Sequence, residues 1–402
     1  MKQPEYCIRN LYLERIKPYV DTQIIKVIAG QRRVGKSFLL FQLMDYIKKL
    51  HPIADVLYIN KELFEFDSIK DYADLINYIQ SNRNNKEKCY LFIDEIQDIQ
   101  YFEKALRSLF AENEYDIYCT GSNANMLSGE LATYLSGRYV EFKVYGLSYA
   151  EFLQFHKLED NEDAFTKFYK FGGLPYLVNL PFDEALVSEY LRSIYDTIIL
   201  KDVVDRYRIR NVRQLHDLTL YLADTIGNLF SANKISEYLK SQRIDLPPKT
   251  ILEYLRYLDN AYFVRGISPT DIKGKKRFQI GEKYYFEDLG IRHAIRPFKP
   301  NDIGQILENI VFHHLLVNGY TVSVGRDGDK EIDFVTERGG EKSYIQVSYS
   351  VMDSKVRERE FGNLLAIKDN YPKIVVTMDT IEGITEQGVQ QVPIRKFLLE
   401  HF

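Results

Sequence analysis

Residues 30–37 read Gly30-Gln31-Arg32-Arg33-Val34-Gly35-Lys36-Ser37, a complete G-x-x-x-x-G-K-[ST] pattern. The apolar run Ile24, Ile25, Val27, Ile28 precedes it, and a helix-like apolar run over 38–47 follows. A buried strand, a glycine-rich turn and a helix are therefore expected in that order. The backbone N–H groups of the turn, from Gly30 through Gln31, Arg32, Arg33, Val34 and Gly35, and of the helix start carry fixed positive partial charge. They suit phosphate oxygens. Lys36 is expected on the β- and γ-phosphates, and the Ser37 hydroxyl on Mg²⁺.

About sixty residues further on, Cys89-Tyr90-Leu91-Phe92-Ile93 runs directly into Asp94-Glu95. A continuous apolar run marks a strand buried on both faces of a parallel sheet. The two acids then stand at its C-terminal edge, where open α/β sheets bind ligands. Asp94 is the expected Mg²⁺ carboxylate, and Glu95 the general base on an attacking water. The next strand-like run, 116–120, ends in Gly121-Ser122-Asn123. Ser122 or Asn123 is a candidate sensor of the γ-phosphate, and both are also good helix N-caps. Arg138 precedes a strand-like run over 139–145 and is a candidate arginine finger, acting in its own chain or on a neighbouring copy.

At 402 residues the chain is too long for one ordinary core. A net charge of −4 excludes a global basic field, so any nucleic-acid contact needs a local patch. Cys7, Cys89 and Cys119 lie far apart and form neither a disulfide framework nor a cysteine zinc site. That usage, with no apolar signal core and no span-length apolar run, leads us to expect a cytoplasmic protein without membrane segments.

From residue 147 the pattern turns helical, interrupted by Phe171-Gly172-Gly173-Leu174-Pro175. Taken together, Gly30–Ser37, Leu91–Glu95, Thr120–Asn123, Gly137-Arg138 and the Gly-Gly-Leu-Pro turn resemble the AAA-like ATPases near the STAND class. The resemblance covers most of the chain. It implies an α/β fold with a P-loop NTPase parallel sheet and a helical lid, with ATP and Mg²⁺ as cofactors. It also implies that Pro175 packs near the adenine.

Residues 212–226, 231–239 and 249–260 read as three helices, followed by strands near 263–267 and 284–286. We expect a winged helix here. Its third helix balances Lys249 and Arg256 against Glu253 and Asp259, so its wing, with Lys273, Lys275, Lys276, Arg277 and Lys283, is the better candidate for nucleic-acid contact. The last hundred residues give a helix with Glu308, a hairpin with Asp333, a strand with Gln346-Val347-Ser348, and a charged helix. This order resembles the PD-(D/E)XK nuclease fold, in which Glu308 and Asp333 match acidic metal-ligand positions. Gln346 stands where a carboxylate belongs and Ser348 where a lysine belongs, so we expect a degenerate metal site and a domain kept for binding or assembly.

The expected organisation is an ATPase domain over 1–146, a helical lid over 147–210, a winged helix over 211–298 and a nuclease-like α/β domain over 299–402. The expected function is an ATP-driven switch controlling contacts with nucleic acid or a protein partner, with self-association as a further candidate. The alternatives are an ATP-regulated DNA nuclease and a slow-turnover nucleotide-binding interaction protein.

Overall fold

The computed structural model describes residues 6–84, 88–124, 134–272, 281–328, 330–381, 383 and 385–400. It contains two compact units, one formed by 1–145 with 260–262 and the other by 146–259 with 263–402. Apart from 260–262, the segments 147–210, 211–298 and 299–402 lie in the second unit. No helix among the described residues is long and apolar enough to cross a membrane.

The first unit is a five-stranded sheet built from β1 (Ile25–Ala29), β2 (Asp55–Asn60), β3 (Cys89–Asp94), β4 (Tyr115–Gly121) and β5 (Tyr139–Lys143), in the order β2-β3-β4-β1-β5. Every pairing is parallel. All residues of β1, β3 and β4 are buried, as their near-continuous apolar runs require when helices cover both faces. Helices Tyr72–Asn82 and Phe102–Glu112 contribute Leu75, Ile79, Ala105, Leu106 and Leu109 to the core on one face. A buried ion pair breaks the apolar rule: Lys26, in the middle of β1, is fully buried. Its ammonium pairs with the equally buried Asp116 and donates to the Thr22 carbonyl at 3.1 Å. Tyr118 Oη and the Asp21 N–H, at 3.0 and 2.9 Å, occupy the other Asp116 oxygen.

The second unit opens with helices Tyr149–His156, Glu162–Phe171 and Glu184–Thr197, the last continuing as a π-helix over Ile198–Asp205. Helices Val212–Asp224, Ala232–Ser241 and Pro248–Asn260 follow, the middle one preceded by β6 (Leu229–Phe230). Strands β7 (Val264–Ile267) and β9 (Glu282–Phe286) pair antiparallel, and β6 pairs on the other edge of β9. Between them, β8 (Pro269–Asp271) leaves this small sheet and pairs parallel with β10 (Thr321–Asp327). The strands expected near 263–267 and 284–286 thus pair with each other, while β8 between them belongs to another sheet.

The large sheet adds β11 (Lys330–Arg338), β12 (Glu341–Ser348), β13 (Lys373–Thr377), β14 (Thr385–Glu386) and β15 (Val389–Pro393), in the order β14-β15-β13-β12-β11-β10-β8. Strands β10, β11 and β12 form an antiparallel meander. Strands β12, β13 and β15 are parallel. Helices Ile303–Val317 and Ser354–Leu365 complete this part.

Candidate nucleotide site and the carboxylate cluster

Because β1 is central and parallel to its neighbours, the loop at its end lies at the C-terminal edge of the sheet beside the ends of β4 and β5. Gly30 passes so close to β5 that a Cβ there would stand 2.1 Å from the Val144 carbonyl oxygen. Only glycine fits. Gly35, with φ 95°, takes the left-handed conformation directly before helix Lys36–Leu50. Val34 is buried, and its carbonyl accepts from the Arg9 guanidinium at 3.0 Å. The same Arg9 nitrogen donates to the Tyr145 carbonyl at 2.9 Å, so the buried Arg9 ties the loop to the end of β5. Gln31 Nε2 donates to the Tyr262 carbonyl at 2.8 Å, Arg32 pairs with Glu62 at 3.2 Å, and Arg33 is exposed. The Lys36 ammonium, 4 % exposed, donates to the Gly30 and Gln31 carbonyls at 3.0 and 3.1 Å and lies 3.7 Å from Glu95.

Strand β4 separates β1 from β3 and bridges the two motifs. Thr120 on β4 donates its hydroxyl to Asp94 and accepts the Glu95 backbone N–H at 2.9 Å. Asp94 also bonds the Ser37 hydroxyl and accepts from Tyr58 Oη at 3.0 Å. Burial raises its pKa, and the proximity of Glu95 adds to the rise against these hydrogen bonds. Glu95 is held at φ 56° and ψ 52°, an uncommon conformation for a non-glycine residue, directly after β3. Burial pushes its pKa up, but Lys36, a Gln97 amide and other neighbours prevail, and the carboxyl sits below its ordinary value. Gln97 donates to Glu95 and, at 3.5 Å, to Ser122 Oγ. Ser122 itself bonds Glu95, and Ser122 and Asn123 are both fully buried at the end of β4.

The Ser37 hydroxyl and the Asp94 carboxylate are hard oxygen donors already within hydrogen-bond reach of each other. That donor chemistry fits Mg²⁺ rather than a softer metal.

Arg138 lies elsewhere. Its carbonyl accepts the N–H of Ile25, the first residue of β1, and its guanidinium packs over the Phe110 ring at 5.5 Å. Because β5 and β1 run parallel, this is the N-terminal edge of the sheet, a strand length of roughly 15 Å from the loop. The expected finger in its own chain is therefore corrected. Pro175 opens a short 3₁₀-helix, Pro175–Asn179, in the second unit. The glycines before it are explained by packing: a Cβ on Gly172 (φ 82°) would meet Asp288 at 2.5 Å, and one on Gly173 the Leu147 carbonyl at 2.7 Å. Asp288 accepts the Gly173 N–H at 2.8 Å, and burial raises its pKa to about 6.

The wing residues Lys273, Lys275, Lys276 and Arg277 lie outside the described residues. Lys283 is described, and it overturns the expectation of a surface base. It is 3 % exposed, its ammonium lying 2.7 Å from Glu308, 2.9 Å from Glu331 and 3.6 Å from Asp333. Tyr285 Oη also donates to Glu308, and Arg326 holds the other Glu331 oxygen at 3.1 Å. Glu308 and Asp333 are thus brought together as expected, but around an ammonium. Gln346 does not join them as a ligand. Its Oε1 accepts the Asp333 backbone N–H at 2.9 Å and its Nε2 donates to Glu360 at 2.9 Å. Burial and the adjacent Glu308 raise the Asp333 pKa despite Lys283. For Lys283 the balance is reversed: burial lowers its pKa, but the carboxylates prevail and raise it.

Arg9, Tyr58, Gln97 and Thr120 were not singled out from sequence. Thr120 stands near the end of β4, which leads into Ser122, so its position was a usable signal; Arg9, at 136 residues from Tyr145, offered none.

Residues 22–153 match the family described as an AAA domain, 162–302 a domain of unknown function (DUF8612) and 303–397 a domain of unknown function (DUF4143). An uncharacterized protein of Haemophilus influenzae is 40% identical over 399 residues, covering 98% of both chains. One of Methanocaldococcus jannaschii is 31% identical over 408 residues, covering 94% of this chain and 88% of that one. Among solved structures, the Walker-type ATPase of Pyrococcus abyssi superposes with a TM-score of 0.52 at 17% identity, over 74% of this chain and 99% of that one. That likeness extends the P-loop ATPase fold to an experimental structure. The chain belongs to the family of these Haemophilus and Methanocaldococcus proteins, and its first unit is an AAA domain of the P-loop ATPase fold.

Proposed function

We propose that the protein hydrolyses ATP in a Mg²⁺-dependent reaction and uses it to switch contacts made by its second unit. The observation that carries this is the cluster at the C-terminal sheet edge, where Ser37, Asp94, Thr120, Glu95 and Lys36 are linked within hydrogen-bond or ion-pair distance. In this reading the loop N–H groups and Lys36 hold the phosphates, Lys36 exchanging its loop carbonyls for phosphate oxygens. Ser37 and Asp94 would hold Mg²⁺, which would supply charge neutralisation at the phosphates. Glu95, kept ionised by Lys36, accepts the proton of the attacking water, while Gln97, Ser122 and Asn123 orient that water and the γ-phosphate.

Glu95→Gln should bind ATP like the wild type and release no phosphate, and Lys36→Ala should lose binding. An equal, negligible rate in the wild type and Glu95→Gln would replace the enzyme by a nucleotide-binding interaction protein.

We read 147–210 as a STAND-like lid with Pro175 against the adenine, so that Pro175→Ala would raise KM for ATP. We read 211–298 as a winged helix, supported by its order of helix, short strand, two helices and an antiparallel strand pair. The C-terminal segment reads as a nuclease-like fold serving assembly. Lys283 seated among its carboxylates supports a binding role over cleavage. Arg138 would reach a nucleotide only on a neighbouring copy.

A further inference from the structure

Between the π-helix Ile198–Asp205 and helix Val212–Asp224, the chain reads Arg206-Tyr207-Arg208-Ile209-Arg210-Asn211-Val212-Arg213, with no acid before Asp217. Arg206, Arg208, Arg210 and Arg213 are all exposed. None of them pairs with a carboxylate among the described residues. Other arginines of this unit are matched: Arg265 with Asp259 at 3.4 Å, Arg296 with Asp224 at 2.9 Å and Arg395 with Asp160 at 2.9 Å. Four guanidinia without a carboxylate partner within eight residues, between Asp205 and Asp217, make this segment locally basic in a chain with net charge −4.

The segment is also built. Arg208 sits at φ 53°, and the Ile209 N–H returns to the Val204 carbonyl at 3.0 Å, closing the π-helix over a left-handed residue. A π-helix and a non-glycine residue at positive φ are both uncommon, and both concentrate at functional sites. The Tyr207 ring stacks on that of Tyr257 in helix Pro248–Asn260, centroids 3.8 Å apart at 10°. Arg256, exposed and likewise without a carboxylate partner among the described residues, lies over Tyr257 at 5.4 Å. The stack therefore joins the arginine run to a fifth guanidinium on that helix.

We propose that Arg206, Arg208, Arg210, Arg213 and Arg256 form a docking surface for the phosphate backbone of a nucleic acid. Guanidinia bind phosphate bidentately, and a spaced row of them suits a regularly spaced polyanion. The surface names the partner class of the switch and rests on that reading for its purpose, not for its binding.

The test is fluorescence anisotropy of the full chain with labelled duplex and single-stranded DNA, without nucleotide, across a series of salt concentrations. Wild type should bind with an affinity that falls steeply with salt. The variant R206Q/R208Q/R210Q/R213Q should bind at least about tenfold more weakly at roughly 100 mM salt, with a salt slope on duplex smaller by about 3. The four-lysine counterpart should recover most of the affinity, which separates charge from misfolding, and Arg265→Gln should bind like the wild type. No binding at low salt, equal binding by the glutamine variant, or no recovery with lysine would overturn the proposal. So would poly-glutamate competing as well as DNA, which would point to an acidic protein instead. Phosphate release, measured on the same variants, reports separately on the hydrolysis reading.

Discussion

Replacing Lys283 by methionine keeps most of the side chain's apolar stem and removes its charge. Glu308, Glu331 and Asp333 would then share one buried site without their common cation. Arg326, Tyr285 and the Val347 N–H, at 2.9 Å from Asp333, still satisfy one oxygen on each acid, so the loss is one of charge balance more than of hydrogen bonding. Removing one partner of a buried ion pair costs about 3–5 kcal/mol. At roughly 2–4 °C per kcal/mol for a unit of this size, Tm of the second unit should fall by about 6–20 °C. The pH dependence follows from Asp333, whose folded pKa is already raised above its unfolded value. A raised carboxyl binds protons more tightly in the folded state, so its unfavourable contribution is relieved as pH falls through the folded pKa and is fully present above it. Without Lys283 that pKa rises further, and the variant's deficit should be larger at pH 8 than at pH 6. Millimolar Mg²⁺ or Ca²⁺ should restore part of the loss, because three carboxylates suit a hard cation. The assay is thermal unfolding by circular dichroism over this pH range, with and without divalent cation. A variant melting within about 1 °C of the wild type, with the same pH profile, would refute a charge-bearing role for Lys283.

Arg9→Ala leaves the Val34 and Tyr145 carbonyls without their guanidinium and should loosen the phosphate loop. We expect a loss of about 1–3 kcal/mol in stability and a higher KM for ATP with kcat less affected, read by steady-state phosphate release. Gly30→Ala drives a Cβ into the Val144 carbonyl and should abolish nucleotide binding in a titration with a fluorescent ATP analogue. Because Asp94 carries a raised pKa, it must ionise before it takes a cation. Mg²⁺-dependent ATP affinity should therefore strengthen as pH rises through the acidic range, and Asp94→Asn should flatten that dependence in a calorimetric titration. Lys26→Met should destabilise the first unit by about 3–5 kcal/mol, through the stranded Asp116, while leaving KM for ATP unchanged.

The phosphate loop, the paired acids and the polar end of β4 were legible in sequence because each is a local pattern. A motif eight residues long and a buried strand ending in acids carry their own geometry. The parallel sheet was legible for the same reason, since β1, β3 and β4 read as continuous apolar runs apart from Lys26 and the polar ends. What failed depended on distant partners. Residue order does not say which edge of the sheet a strand's first residue occupies, so only the sheet showed that Arg138 stands away from the phosphate loop of its own chain. Gly172 and Gly173 read as a rigid turn, but the groups that exclude a side chain there, Asp288 at Gly172 and the Leu147 carbonyl at Gly173, are brought up only by the fold, Asp288 from more than a hundred residues later.

Lys283 shows the division most sharply. By itself the sequence determined that the chain carries a phosphate loop with its acids, and that Gln346 and Ser348 stand where the nuclease-like reading expects a carboxylate and a lysine. A charged side chain's role, however, is set by its desolvation and by the charges brought within a few ångströms of it. Neither quantity exists until β9, β11 and helix Ile303–Val317 pack together. Only the tertiary structure decided that a lysine expected on an exposed wing is the buried counter-ion of three carboxylates.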